Sequence, residues 1–340
     1  YTSMLRHFYL RNLLFLCPVC FLTVFFNASV CAQTAAKVNL ILDTDIGPDY
    51  DDVGAMAVMH ALADSGQVNI LATVACNQSP YIAGVLSAIN TYFKRPGIPV
   101  GVVRSKAVNM TAAQKWDSVL VAKYPGRIKK NAQAEDALTL YRRILAAQPD
   151  GSVTIATVGF LTNMFDLLQS KPDKFSPLSG AELVRRKVKR MVSMAGKFPS
   201  GNEYNIQCDP IAAKYVAEQW PTEIIFSGFE IGQAVHTGLP LIGNGKIQNS
   251  PVKEAFAIAI PMSKEDAAGR MSWDQTAVLV AVKGYEPYYS VNAGRFVCRE
   301  WGGNDWNANG KGHLHLVVKM PVPQMENILN ALMMHQPVRK

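Results

Sequence analysis

The sequence predicts an α/β protein in which an open, mainly parallel, Rossmann-like sheet has helices on both faces. Apolar runs rich in β-branched residues alternate with helical patterns over most of the 340 residues. The runs are apolar throughout rather than alternately polar, as expected for strands buried on both faces. Hydrophobic residues make up 49% of the chain, which is enough for one large core.

Short apolar runs are predicted as strands, and the amphipathic segments between them as helices. The predicted strands are 38–42, 68–76, 98–103, 152–158, 188–196 and 222–228. The predicted helices are 52–64, 81–92, 135–147, 161–169 and 210–219. The basic run 183–190 is expected to be a solvated approach to a strand. Because ligands of parallel sheets bind at the carboxyl ends of strands, one crevice is expected there.

The first 32 residues have the three parts of a secretory signal peptide. Arg6 and Arg11 precede an apolar run at 13–26, and small residues end the segment near position 32. The run is shorter than the roughly 20 residues that span a bilayer. We therefore expect signal cleavage and export to the periplasm or the extracellular space, without stable membrane insertion. An uncleaved anchor is the alternative.

The end of the chain has a different pattern. Residues 287–318 form short alternating runs separated by Gly and Asn, which predicts a small antiparallel appendage, and 324–334 is predicted as a final helix. No linker interrupts the chain, so 33–340 is expected to be one domain. The net charge is +8, but Lys and Arg are scattered, so no nucleic-acid partner is expected.

The segment "LILDTDIGPDYDDVGA" (40–55) places five aspartates within ten positions, directly after an apolar strand. A helix N-terminus favours one or two carboxylates, but five would repel one another unless a cation neutralised them. Carboxylates without His or Cys indicate calcium or magnesium, and calcium accommodates more oxygen ligands. The sequence therefore predicts a Ca²⁺ site. A structural turn rich in Asp is the simpler alternative.

Two other acidic motifs fit less well. An EF-hand loop needs a closing Glu at its twelfth position, where this chain has Gly54. A haloacid dehalogenase-like phosphatase has Thr or Val two residues after the second Asp of its D-x-D motif, where this chain has Gly47. A phosphatase nevertheless remains an enzymatic competitor.

Five motifs follow one another along the chain: "DTDIGPDYDD" (43–52), "TVACN" (73–77), "ATVGFLTN" (156–163), "MAGKFPSGNEYNIQCDPIAA" (194–213) and "WDQTAV" (273–278). In this order they resemble the motifs of the calcium-dependent nucleoside hydrolases of the inosine-uridine preferring type. The resemblance runs from about residue 38 to 283.

The resemblance implies a Ca²⁺ ion bound by three side chains and one main-chain carbonyl, and a ribose site beside it. Asp45 would also accept the proton of the nucleophilic water. The implied metal ligands are Asp45, Asp52, Asp274 and the carbonyl of Val158. The implied substrate-binding residues are Asp51 at the 2′-hydroxyl, Asn77 near the water, and Glu203 and Asn205 at the outer hydroxyls. Asp43 would be a supporting acid.

Two of the chain's departures from the family pattern concern candidate site residues. The aspartate loop is two residues longer, which leaves Asp49 without a role. Trp273 stands where members often have the His that protonates the leaving base. It could stack on a base or equally form a wall of an altered pocket. The substitute acids to consider are His236, His313 and His315.

The resemblance implies hydrolysis of the N-glycosidic bond of ribonucleosides or related N-ribosyl compounds, with release of base and ribose. The alternative from another class is a Ca²⁺-dependent sugar- or nucleoside-binding protein without turnover. The resemblance also suggests a homo-oligomer.

Overall fold

The structure is a computed structural model that describes residues 37–338. The predicted signal peptide, residues 1–32, lies outside the described residues. Within 37–338, none of the helices has the length and apolar character needed to cross a bilayer.

The strands and helices alternate along most of the described chain. The strands are β1 (Val38–Thr44), β2 (Val68–Ala75), β3 (Val100–Val102), β4 (Glu135–Asp136), β5 (Val153–Thr157), β6 (Val188–Met194), β7 (Ser200–Asn202), β8 (Glu223–Ser227), β9 (His236–Thr237), β10 (Arg270–Met271), β11 (Tyr289–Cys298), β12 (Gly303–Asn307) and β13 (His313–Val318). The α-helices are α1 (Asp51–Asp64), α2 (Ile82–Tyr92), α3 (Trp116–Lys123), α4 (Ala137–Ala147), α5 (Thr162–Gln169), α6 (Gly180–Lys187), α7 (Tyr204–Cys208), α8 (Pro210–Gln219), α9 (Phe229–Gln233), α10 (Leu239–Gly243), α11 (Pro251–Ala259), α12 (Trp273–Lys283) and α13 (Val322–Met333).

The main sheet has the strand order β4-β3-β2-β1-β5-β6-β8-β13-β11-β12-β7. From β4 to β13 all neighbours are parallel, and from β13 to β7 they are antiparallel. The predicted open, mainly parallel α/β fold is confirmed. The strand order reverses at β1, which pairs with β2 on one side and with β5 on the other. This is the topological switch point at which such sheets form a ligand crevice.

The predicted antiparallel strands near the C-terminus are present, and they extend the main sheet. β13 inserts between β8 and β11, pairing parallel with β8 and antiparallel with β11. The expectation of a solvated approach at 183–190 was wrong in one respect, because α6 covers most of that run. A capping box between Ser179 and Glu182 starts this helix, and its amphipathic pattern buries Leu183 and Val184.

Two helices bring acidic residues to the carboxyl ends of the strands. In α1, twelve of fourteen residues are buried, so this helix lies inside the protein rather than on its surface. It packs against α12, nine of whose eleven residues are buried. The two meet where Gly54 contacts the fully buried Gln275, and a Cβ at Gly54 would clash with that side chain. The first turns of α1 and α12 therefore lie side by side.

Candidate metal and ribose site

A cavity of about 350 Å³ lies at the carboxyl ends of β1 and β5, where α1 and α12 begin. Its size suits a small organic ligand. One part of its lining is acidic and another is largely apolar and aromatic. The acidic part includes Asp45, Asp49, Asp51, Asp52, Glu203 and Asp274. The apolar part includes Met194, Tyr204, Phe229, Met271 and Trp273.

Main-chain pairing fixes the floor of the cavity. The end of β1 is bonded on both sides, because the Val158 N–H donates to the Asp43 carbonyl at 2.8 Å and the Cys76 N–H donates to the Thr44 carbonyl at 3.0 Å. Just beyond, a Cβ at Gly159 would lie 2.6 Å from the Asp45 nitrogen. Gly159 therefore lets the Asp45 loop lie directly against the end of β5.

Three buried carboxylates converge in this cavity. One oxygen from each of Asp51, Asp52 and Asp274 lies within 4.8 Å of the others. Asp51 and Asp52 are in the first turn of α1 and Asp274 is in the first turn of α12, where the helix dipoles favour negative charge. Asp274 is far from Asp51 and Asp52 in the sequence, and the packing of α1 on α12 brings it beside them.

The residues in this cluster fit a divalent metal ion. The Thr44 hydroxyl donates to Asp52 Oδ1, but Asp52 Oδ2 is buried without a hydrogen-bond partner. An unpartnered buried carboxylate oxygen beside two further carboxylates is costly unless a cation neutralises it. The donors are all oxygens, as hard cations prefer. The cluster could therefore bind a metal ion.

Burial and mutual repulsion both disfavour ionisation of these acids in the absence of a cation. Burial raises the pKa values of Asp45, Asp52 and Asp274 well above their ordinary value, and neighbouring carboxylates raise them further. The pKa of Asp51 rises only to about 6, because the Arg270 guanidinium opposes the effect of burial. A bound cation would favour the ionised forms.

The four metal ligands implied by the sequence all line the cavity. Asp52 and Asp274 belong to the group that lies within 4.8 Å, and Asp51 completes that group rather than Asp45. The Val158 carbonyl accepts a hydrogen bond from Asn205 Nδ2 at 3.3 Å.

The substrate-binding residues implied by the sequence divide into two groups. Glu203 and Asn205 line the cavity, as do Asp51 and Trp273, whereas Asn77 lies behind the cavity wall. The Asn77 amide nitrogen donates to the carbonyls of Asp45, at 3.0 Å, and Met110, at 2.7 Å. Its oxygen accepts from the Met110 N–H at 2.9 Å. Asn77 therefore holds the backbone of Asp45.

The Glu203 carboxylate is fixed by main-chain donors. It accepts hydrogen bonds from the N–H groups of Gly196, Asn205 and Ile206, at 3.1, 2.8 and 3.2 Å. Burial raises its pKa to about 7, although these N–H groups oppose the rise. Asn205 Nδ2 also donates to the Met194 carbonyl at 3.1 Å, which fixes the orientation of its amide.

Asp43 lies beneath the cavity and is fully buried. Its Oδ2 accepts hydrogen bonds from the Tyr141 hydroxyl at 2.7 Å and from Asn163 Nδ2 at 2.9 Å. Burial raises its pKa to about 7 despite these bonds. Asp43 does not line the cavity, so its contacts connect the floor of the site to α4 and α5.

Arg270 is a site residue that sequence reasoning missed. Its Nη2 donates to Asp49 at 2.6 Å and to Asp51 at 3.0 Å, and its Nη1 lies 3.7 Å from Asp266. The contact assigns a role to Asp49, the aspartate without a predicted one. The unexplained fifth acid was the only signal in the sequence, because an extra carboxylate in a crowded loop needs a counter-charge.

Trp273 forms the aromatic side of the cavity with Phe229. The two ring centroids are 5.2 Å apart, and Trp273 Nε1 donates to the Phe229 carbonyl at 2.7 Å. None of the described residues that line this cavity is a histidine. His313 accepts from the Phe296 N–H, and His315 stacks on Phe198 with centroids 4.4 Å apart. His236 lies near Glu326, 3.9 Å away.

An open α/β sheet with a carboxylate-lined pocket at its switch point defines the chain as a member of a class of α/β proteins that bind ligands at strand ends. The model of one family, the inosine-uridine preferring nucleoside hydrolases, matches residues 40–320. The chain belongs to this family of N-glycosyl hydrolases.

Solved structures with similar folds cover nearly the whole chain. The purine-preferring ribonucleoside hydrolase from Gardnerella vaginalis is 16% identical, with a TM-score of 0.69 over 87% of this chain and 98% of its own. The inosine-uridine preferring nucleoside hydrolase from Bacillus anthracis is 15% identical, with a TM-score of 0.66 over 87% and 99%. The type III effector protein XopQ, complexed with adenosine diphosphate ribose, is 16% identical, with a TM-score of 0.66 over 90% and 96%. No curated protein shows significant similarity to the sequence.

Proposed function

We propose that the chain is an exported, Ca²⁺-dependent hydrolase that cleaves the N-glycosidic bond of ribonucleosides or related N-ribosyl compounds into free base and ribose. The carrying observation is the buried oxygen cluster of Asp51, Asp52 and Asp274, in which Asp52 Oδ2 has no partner. This cluster shares one cavity with an aromatic wall that suits a planar base.

The proposed ligands of the Ca²⁺ ion are Asp45, Asp52, Asp274 and the Val158 carbonyl. Several carboxylates and a carbonyl suit the large and flexible coordination shell of Ca²⁺ better than the strict octahedron of Mg²⁺. When bound, the ion would lower the pKa of a coordinated water and orient the sugar hydroxyls.

Asp45 is the proposed general base. Its carboxylate would accept the proton of the attacking water, and the Asn77 amide keeps its backbone in place through the Asp45 carbonyl. Without a cation, burial and neighbouring carboxylates raise the pKa of Asp45, and a bound cation would keep its carboxylate ionised and able to accept a proton.

The remaining acidic groups are proposed to bind and stabilise the ribosyl group. Cleavage of an N-glycosidic bond develops positive charge on the sugar, so carboxylates already fixed around the ribose stabilise the transition state. Glu203, held by three N–H groups, and Asn205 would bind the outer hydroxyls, and Asp51 the 2′-hydroxyl. Trp273 would stack on the leaving base.

A binding protein without turnover is the second candidate. The observation that favours it is the absence of histidine among the described cavity-lining residues, because departure of a base is easier when an acid protonates it. A ligand could then bind through the same carboxylates and Trp273 without being cleaved.

The test measures the release of reducing sugar from a panel of purine and pyrimidine ribonucleosides, with adenosine diphosphate ribose included because XopQ was solved with it. Turnover that requires Ca²⁺ and is lost with a chelator supports the hydrolase. Ribose binding by calorimetry without turnover on any compound would favour the binding protein. Phosphate release from a generic ester would favour a phosphatase instead. Export is tested separately, by secretion of the full chain with loss of its N-terminal segment.

A further inference from the structure

Arg270 lies among the acids of the cavity with its guanidinium largely buried, its side chain being 11% exposed. Two aromatic rings enclose it, since its central carbon is 5.0 Å from the Tyr50 ring and 5.1 Å from the Trp273 ring. Both are cation–π distances. Arg270 is the one basic residue among the described residues that line the cavity.

Its contacts go to a defined subset of the carboxylates. Arg270 Nη2 bonds Asp49 at 2.6 Å and Asp51 at 3.0 Å, and Nη1 is 3.7 Å from Asp266. Asp266 is itself held by the Tyr50 hydroxyl at 2.6 Å. These three acids come from the aspartate loop, the start of α1 and the turn before β10.

Asp51 contacts both Arg270 and the group of carboxylates that could bind a metal ion. Its Oδ1 accepts from Nη2 and from Nε of Arg270, the latter at 3.3 Å, and its Oδ2 accepts from the Asp274 N–H at 3.3 Å. Both oxygens therefore have partners. Asp52, the next residue, has one oxygen with none. Asp51 lies close enough to Asp52 and Asp274 to share a cation, yet its oxygens already accept hydrogen bonds from Arg270 and from the main chain.

We propose that Arg270 is a positioning residue that divides the acids of the site into two sets. It pairs with Asp49, Asp51 and Asp266, and it leaves Asp45, Asp52 and Asp274 as the metal set. The guanidinium acts as a fixed internal cation that holds Asp51 out of the metal's coordination shell and at the edge of the sugar site. This inference rests on the proposed metal site.

The proposal predicts an unusual result for removal of the arginine. A structural ion pair would only lower stability when it is lost. Here the loss of a positive charge close to a divalent cation removes repulsion, and it also frees Asp51 to become a ligand, so metal binding should become tighter. At the same time Asp51 would lose its orientation, so turnover should fall.

The experiment measures Ca²⁺ binding by calorimetry on the whole chain for wild type, Arg270→Met, Asp51→Asn and the double variant. We expect Arg270→Met to tighten the Ca²⁺ Kd by roughly tenfold or more. Asp51→Asn should change the wild-type Kd much less, but in the Arg270→Met background it should reverse most of the gain. This non-additivity is the signature of Arg270 acting through Asp51.

Two further variants control for folding and for charge. Arg270→Lys keeps the positive charge but lacks the planar guanidinium and its several N–H donors. Its Kd for Ca²⁺ should therefore lie closer to that of wild type than the Kd of Arg270→Met does. Arg95→Met removes a matched ion pair at the other end of α1, where Arg95 Nη2 lies 2.6 Å from Asp64, and it should leave the Kd unchanged.

The outcomes separate the two proposals. Wild type that binds Ca²⁺, with an unchanged or weaker Kd in both Arg270 variants, would overturn the role of Arg270 and leave the metal site intact. Additive effects of Arg270→Met and Asp51→Asn would also overturn it. Wild type that binds no Ca²⁺ would overturn both the metal site and this inference.

Discussion

Asp52→Asn should make the calcium-free protein more stable and abolish its stabilisation by calcium. The carboxylate of Asp52 is buried, one of its oxygens has no partner, and carboxylate oxygens of Asp51 and Asp274 lie within 4.8 Å. An amide of the same shape removes the charge, can still accept the Thr44 hydrogen bond, and can donate to a neighbouring carboxylate. The two effects on stability therefore have opposite signs.

The magnitude follows from the spacing of the cluster. Two like unit charges 4.8 Å apart repel by about 3 kcal/mol at an effective dielectric constant of about 20. Replacing a charged acceptor for Thr44 with a neutral one costs about 1 kcal/mol. Counting the Asp274 pair alone, because Asp51 is compensated by Arg270, the net gain is about 2 kcal/mol. For a chain of this length, this corresponds to a rise in Tm of roughly 3 °C without calcium.

Thermal unfolding in chelator and in excess Ca²⁺, at about pH 8.5 where the carboxylates ionise more fully, measures both effects. The Tm of the wild type should rise by roughly 4 °C when Ca²⁺ is about 100 times its Kd. Asp52→Asn should have a higher Tm than wild type in chelator, and its Tm should rise little when Ca²⁺ is added. The matched control is Asp64→Asn, at the other end of α1 and paired with Arg95, which should keep the full calcium shift. An Asp52→Asn variant with a lower Tm than wild type in chelator and the full calcium shift in Tm would refute the reasoning.

Three further results are expected. Asp45→Ala should lower turnover of the best nucleoside by roughly 10²-fold to 10⁴-fold while the protein still folds; an unchanged rate of sugar release would remove Asp45 from the mechanism. Calcium affinity should weaken as pH falls, because the calcium-free pKa values of Asp52 and Asp274 are raised and the ion favours their ionised forms. Calorimetry in buffers of different ionisation enthalpy should detect the release of protons when calcium binds. A Kd for calcium that is independent of pH would contradict this prediction. Tyr141→Phe should raise the pKa of Asp43 further and cost about 1 to 3 kcal/mol in unfolding free energy, more than the loss of a hydroxyl bonded to a neutral partner.

Much of the fold was predictable because the pattern was local. Each predicted strand is a run of apolar residues, and the observed strands at 38–44, 153–157 and 223–227 lie close to the predicted ranges. The insertion of β13 between β8 and β11 was not predictable, because its alternating pattern fits an edge hairpin and a strand at the border of a larger sheet equally well. The pairing of distant segments is decided by packing that a local pattern does not contain.

The candidate site was predictable in part for a similar reason. The aspartates of the 43–52 segment could be predicted as site residues because five of them lie within ten positions. Asp274 could be predicted from the motif at 273–278. Arg270 gave no such signal, since it is a single basic residue in "GRMSWDQ" and the two carboxylates to which it donates hydrogen bonds, Asp49 and Asp51, lie more than 200 positions away in sequence. The backbone role of Asn77 was also hidden, because a side chain that holds a loop and one that faces a ligand look the same in a sequence.

The contact between Gly54 and Gln275 has a consequence for which ion the site accepts. Each of these residues follows closely after a carboxylate of the cluster, Asp52 in α1 and Asp274 in α12. A Cβ at Gly54 would lie 2.4 Å from the Gln275 side chain, so the gap between those two carboxylates depends on how closely the helices approach. Discrimination between a larger and a smaller divalent ion would then depend on helix packing as well as on the acids themselves. A change of ion preference could therefore arise from a substitution in the core, at a residue that touches neither metal nor substrate.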